Sequence, residues 1–116
     1  MSWKIEYIKE ALRDLKRLDP YNQRLILKAI TKTAERPLPP PDGVGKPLGN
    51  RSDTKLSGFY KIKLRDLGYR VVYGLEITDE IMRIIVISVR DDNEVYLEAE
   101  RRIKDLDIRA KKADNN

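Results

Sequence analysis

Polar and apolar residues alternate through residues 2–7, "SWKIEY", and a period of two predicts a short β-strand. At Ile8 the period lengthens. Ile8, Ala11, Leu12, Leu15 and Leu18 fall on one helical face, which predicts a helix ending near Asp19. "DP" at 19–20 restarts a helix, with Asp19 at the N-cap and Pro20 in the first turn, where its missing N–H goes unused anyway. This second helix is predicted to run to about Arg36, with Leu25 or Ile26, Ala29, Ile30 and Thr33 turned inward. Together the two make an antiparallel helical hairpin.

Residues 36–50, "RPLPPPDGVGKPLGN", hold five of the six prolines and three of the six glycines, so a long surface loop without regular structure is expected. Strands are predicted at 59–66, 69–75 and 80–89, with "DLGY" linking the first two and "ITDE" at 77–80 turning into the third. The apolar run "EIMRIIVISV" suits a central strand. In "RDDNEVYLEAERRIKDL", Asp91 or Asp92 can cap a final helix, with Glu94 near its third position and Val95, Ala99, Ile103 and Leu106 inside. The polar tail 107–116 is expected to fray. The order βααβββα gives an α+β fold: an antiparallel β-sheet with the N-terminal helical hairpin and a C-terminal helix packed on it.

The 116 residues suffice for a single modest core, and neither half has one of its own, so residues 1–116 are expected to form one domain. Lys and Arg number 24 against 19 Asp and Glu, and the net charge of +5 favours an acidic or polyanionic partner. No run of about 18 apolar residues and no signal-peptide pattern is present, so the expectation is a cytoplasmic protein without a membrane partner. Cysteine and histidine are absent. That excludes disulfides, Cys-ligated zinc and Cys or His catalysis, leaving Lys, Arg, Tyr, Asp, Glu, Ser and Thr for any chemistry. No cofactor or metal is expected.

The charge becomes specific in "FYKIKLRDLGYRVVYG", residues 59–74. With Leu67-Gly68 as a two-residue turn, Arg65 faces Arg70 and Leu64 faces Val71. Tyr60, Ile62 and Leu64 then share the core side with Val71 and Tyr73, while Lys61, Lys63, Arg65 and Arg70 gather on the other. Opposed like charges weaken a sheet, so folding does not require Arg65 against Arg70. Two readings stand: a hydrated basic face, or a surface that holds phosphate. Arg90 and Tyr96 can border it, and Lys46 and Arg51, in or beside the proline-rich loop, can touch a polyanion. Lys and Arg can stabilise the extra negative charge of a pentacoordinate phosphate. A lysine crowded by cations drops below its reference pKa of about 10.4 and can serve as a base. Arginine stays above about 12 and stabilises charge through its planar fork. Tyr96 can stack on a base or hydrogen-bond a phosphate.

Two longer stretches, "KLSGFYKIKLRDLGYRVVY" (55–73) and "IVISVRDDNEVYLEAERRI" (85–103), resemble the RelE branch of the RelE/ParE toxin superfamily, and the similarity covers most of the chain. RelE proteins read Lys-Leu-Arg-Gly, then Tyr-Lys-Ile-Lys-Leu-Arg and Gly-Tyr-Arg-Leu-Val-Tyr, followed by a strand ending Ile-Ser-Val and a helix containing Glu-Val-Tyr. The resemblance implies a RelE-like fold of the microbial ribonuclease type and a toxin of a type II toxin–antitoxin pair. It implies mRNA cleavage in the ribosomal A site by attack of the 2′-hydroxyl on the adjacent phosphate, with two lysines, two arginines and a tyrosine at work. These fall on Lys61, Lys63, Arg70 and Tyr96. The segment before the last helix is two residues shorter than in the best-known members and acidic, "RDDN", where theirs is basic; Arg90, its only arginine, takes the second arginine's place. Lys46, Arg51 and Arg65 are expected RNA contacts. The implied partners are the ribosome with its mRNA and a RelB-like antitoxin, through which the complex reaches operator DNA. A non-catalytic ParE-like inhibitor of DNA gyrase and a plain nucleic-acid-binding module are the alternatives.

Overall fold

A computed structural model of the chain describes residues 2–49 and 56–114. Strand β1 (Lys4–Tyr7) leads into helices α1 (Lys9–Lys16) and α2 (Pro20–Ala34). Strands β2 (Lys46–Gly49), β3 (Leu56–Leu64), β4 (Tyr69–Glu76) and β5 (Ile81–Ser88) follow, and α3 (Asp92–Asp114) closes the chain. The strands form one sheet ordered β1-β5-β4-β3-β2, in which only the β1–β5 pair is parallel among those described. The expected order βααβββα is there, with one strand more.

That strand, β2, corrects the expectation of an irregular loop over 36–50. The loop ends at Gly45, and Lys46–Gly49 pair antiparallel with β3. Pro47 fits because β2 is an edge strand, one of whose sides needs no ladder hydrogen bond. The loop itself is packed rather than loose. The buried Tyr73 hydroxyl donates to the Pro37 carbonyl at 2.9 Å, and a Cβ at Gly45 would lie 2.3 Å from that carbonyl and 2.8 Å from the hydroxyl. Burial raises the Tyr73 hydroxyl well above its usual pKa, with the neighbouring Tyr60 adding to the effect.

The β3–β4 register also differs from expectation. Lys63, not Arg65, lies opposite Arg70, and Leu64 lies opposite Tyr69. The connection is a four-residue turn, 65–68, closed by Leu67 N donating to Leu64 O and Gly68 N to Arg65 O. A two-residue hairpin turn would need positive φ at Leu67, which a leucine resists; here the positive φ falls on Gly68. The pairing is displaced by two residues, so each side chain keeps its expected face.

Tyr60, Ile62, Val71 and Tyr73 occupy one side of the sheet, where Tyr60 stacks on Tyr73 with ring centroids 5.4 Å apart. The buried Ile26, Ile30 and Ala34 of α2 and Ala11 and Leu15 of α1 join them in the core. The other side carries Phe59, Lys61, Lys63, Arg70 and Val72, and α3 crosses it with Val95, Tyr96 and Ala99 buried. Helix α3 corrects a further expectation. It extends to Asp114 rather than fraying from 107, in keeping with the helix-favouring Arg, Ala and Lys of "DIRAKKAD".

A buried ion pair ties α3 to α1 and to β5. Strand β1 stops at Tyr7, opposite Ile84, which leaves the next part of β5 without a strand on that side. Helix α1 fills the gap. The Asp14 carboxylate accepts from Ile87 N at 3.0 Å and from Arg102 Nη1 and Nη2 at 2.7 and 3.1 Å. Arg102 Nη1 also donates to the carbonyl of Ile85, the bulged residue that has no partner on β4. Both side chains are only 10% exposed. Glu98 accepts from Arg101 and from Arg102 Nε, and despite the opposing effect of burial these contacts hold its carboxyl down to about 2.

Candidate active site

The alternation of β3 sends Lys61 and Lys63 to one face, and the cross-strand register sets Arg70 of β4 beside Lys63. All three are half-buried, because the first turns of α3 lie over them. Of the two readings open from the sequence, a hydrated basic face and a surface that holds phosphate, the first meets a face that is partly covered.

Asp91 caps α3, its Oδ1 accepting from Glu94 N at 3.0 Å, which frees the next residue for another task. Asp92 turns to the sheet. One of its carboxylate oxygens, Oδ2, accepts from Lys63 Nζ at 2.9 Å, and the other, Oδ1, accepts from Arg70 Nε. Burial works to raise the Asp92 carboxyl, but the two cations outweigh it and hold the group below the usual carboxylate range. Arg70 Nη1 donates to the Arg90 carbonyl at 2.8 Å. Arg70 is thus fixed along two of its donor edges, and Nη2 donates to no described residue.

Lys61 Nζ sits 6.0 Å from the centroid of the Tyr96 ring, at the outer range of a cation–π contact. Tyr96 is 5% exposed, so its ring belongs to the core and is no open platform for stacking a base. Lys46 lies opposite Lys61 across β2 and β3, so the cationic face continues to the edge of the sheet. The geometry joins Lys46, Lys61, Lys63 and Arg70 into one surface, with the buried Tyr96 ring against Lys61.

Arg90 stands apart from it. Its backbone touches Arg70, but its side chain is 71% exposed and lies 4.0 Å from Glu94. Arg65 is exposed in the β3–β4 turn, away from the convergence on Asp92. Arg51 lies outside the described residues.

Sequence reasoning missed two groups. Asp92 was open to view as the second of two adjacent acids when a cap needs only one. Arg102 falls three residues after Ala99 and one before Ile103, on the inner stripe of α3, where a charge needs a buried partner. No group of three or more metal-ligating side chains occurs among the described residues, and no described helix is long and apolar enough to cross a membrane.

The family profile described as "ParE toxin of type II toxin-antitoxin system, parDE" matches residues 5–96. The mRNA interferase toxin RelE of Escherichia coli (strain K12) is 32% identical over 108 residues, spanning 89% of this chain and 99% of that protein. The chain belongs to the RelE/ParE toxin superfamily. Its relatives place it on the RelE branch. The structure of free E. coli RelE with two arginines changed to alanine gives a TM-score of 0.69 at 27% identity, over 89% of this chain and 99% of that one. The same variant in complex with an antitoxin RelBc peptide gives 0.65 at 25% identity, over 85% and 95% of the two chains. The superfamily match takes in Lys61, Lys63, Arg70, Arg90 and Tyr96 and ends at Tyr96. The clamp at Arg102 lies beyond it.

Proposed function

We propose that this chain is the toxin of a type II toxin–antitoxin pair and cleaves mRNA in the ribosomal A site. The observation that carries the reading is the convergence of Lys63 and Arg70 on one carboxylate, with Lys61 alongside. Cations that grip a carboxylate through two oxygens can grip the non-bridging oxygens of a phosphodiester in the same way. The RelE name of the 32%-identical relative, an mRNA interferase toxin, supports the same conclusion.

In the proposed reaction the ribose 2′-oxygen attacks the adjacent phosphorus and the bond to the 5′-oxygen breaks. Lys61 or Lys63 takes the 2′-hydroxyl proton, and a protonated neighbour supplies one to the departing 5′-oxygen. Arg70 stabilises the charge that builds on the pentacoordinate phosphate. Arg90, on an exposed and weakly held side chain, can swing in once RNA is bound, and Tyr96 fixes the position of Lys61. Lys46, Arg51 and Arg65 contact RNA around the reacting phosphate. The products are a 2′,3′-cyclic phosphate and a 5′-hydroxyl, and no step needs a metal ion. An antitoxin of the RelB kind is the proposed partner, and it brings the pair to operator DNA.

Mapping mRNA ends on translating ribosomes after induction tests this. Cuts within A-site codons, leaving cyclic phosphate upstream and persisting in EDTA while ribosomes stay intact, are the expected result. A free 3′-hydroxyl upstream would require another nucleophile and would sink the mechanism. Because the matched profile is that of ParE toxins, a gyrase inhibitor is the second reading. It would show itself as DNA damage with intact mRNA.

A further inference from the structure

We infer that Asp92 is a resident competitor for the phosphate seat, closing it in the free protein until a phosphodiester displaces the carboxylate. The seat is the space between Lys63 Nζ and Arg70 Nε, which the register places on directly opposed residues of β3 and β4. Two cations held in that way repel, and the sheet gains nothing from the pairing by itself. Asp92 relieves the repulsion, with one oxygen on each cation.

Capping of α3 is already done by Asp91, so the Asp92 carboxylate can turn to the cations instead. The fold does not depend on the contact to dock α3. Val95, Tyr96 and Ala99 are buried one to two turns further on, and the Arg102–Asp14 pair fixes the helix beyond them. Asp92 is 36% exposed at the side chain and stands in the first turn of its helix, so a change of rotamer takes its carboxylate toward solvent without moving α3.

A carboxylate and a phosphate cannot share the seat, because both bring negative charge to the same two donors. The apparent affinity for phosphate is therefore the intrinsic affinity reduced by the fraction of molecules in which Asp92 has left. Phosphate in solution meets a closed site. A phosphodiester held in place by the rest of its complex supplies the remaining drive to open it.

The inference rests on reading this face as a phosphate site, but its test needs neither RNA nor the ribosome. The full chain and its Asp92→Asn variant are titrated with inorganic phosphate while the side-chain NMR signals of Lys63 and Arg70 are followed. The Asn variant is expected to bind at least about tenfold more tightly, since no charge-assisted contact must first be broken, with the shifts centred on those two side chains. Asp92→Glu, which retains the charge, is expected to stay within about threefold of the parent, the looser fit of a longer acid allowing no more. Equal affinity in the parent and the Asn variant would overturn the inference, as would tighter binding that maps away from Lys63 and Arg70. Should the Asn variant fail to fold, Asp92→Ser, which suits a helix start, provides the same comparison. Tight phosphate binding by the Asn variant without mRNA cleavage by the parent would leave the gate standing and remove the ribonuclease reading. Cleavage by the parent with unchanged phosphate affinity in the variant would do the reverse.

Discussion

Arg70 is held by its Nε on Asp92 and its Nη1 on the Arg90 carbonyl, a geometry that only a planar fork can meet. An ammonium at the same position retains the charge and has donors, but it lacks the planar, spaced pair and with it the fixed aim. Arg70→Lys is therefore expected to slow single-turnover cleavage on ribosomes by roughly ten- to a thousand-fold, the scale of losing one preorganised donor. Ribosome affinity, measured in parallel, is expected to change little. Normal cleavage by a saturating variant would return Arg70 to the status of one cation on a basic face. Lys61, Lys63 and Arg70 could be gathered from sequence because strand alternation is strict and a displacement of two residues preserves the faces. Asp92 shows in the sequence only as one of two adjacent acids at a helix start, and the folded chain is needed to tell which of them does the capping. Arg90 is the one arginine of the short segment before α3. The structure leaves its guanidinium outside the cluster, beside Glu94.

Among the elements, α3 depends most on something its apolar pattern does not reveal. Val95, Ala99 and Ile103 give it an inner face, as expected, yet the Arg102–Asp14 pair joins it to α1 and to the uncovered part of β5. With both side chains 10% exposed, removing Arg102 leaves the Asp14 carboxylate in the interior without its cation, whereas Arg102 without Asp14 still has Glu98 and Glu10. Arg102→Met is expected to lower the free energy of unfolding in urea by about 3–5 kcal/mol, and replacing both partners by Leu and Met to cost far less. A loss under about 1 kcal/mol for Arg102→Met would mean that the pair is solvated as an ordinary surface bridge is. The helices were legible because their apolar residues recur at the proper spacing. Strand β2 was not, because "KPLG" lies in a proline-rich segment and is a strand only by virtue of the β3 edge beside it.

Over the whole molecule, the net charge of +5 is not spread evenly. Many carboxylates are spent on internal pairs: Glu6 and Glu76 on Arg83, and Glu10, Glu98 and Asp105 on Arg101. The face of β2, β3 and β4 gathers Lys46, Lys61, Lys63 and Arg70, and Asp92 pairs with the last two. Any polyanion, whether RNA on the ribosome or an acidic antitoxin segment, is drawn to that side, and its approach depends on salt. Lys46 separates this attraction from the chemistry. It lies at the exposed sheet edge, in register with Lys61 but one strand away from the seat between Lys63 and Arg70. Lys46→Ala is expected to weaken ribosome binding and to flatten the log–log salt dependence by roughly 0.7 to 0.9, the contribution of one neutralised phosphate. Once bound, the variant is expected to cleave at nearly the parent's single-turnover rate. A slowed rate at saturation, with an unchanged salt slope, would place Lys46 in the reaction itself and move the centre of the site toward the β2 edge.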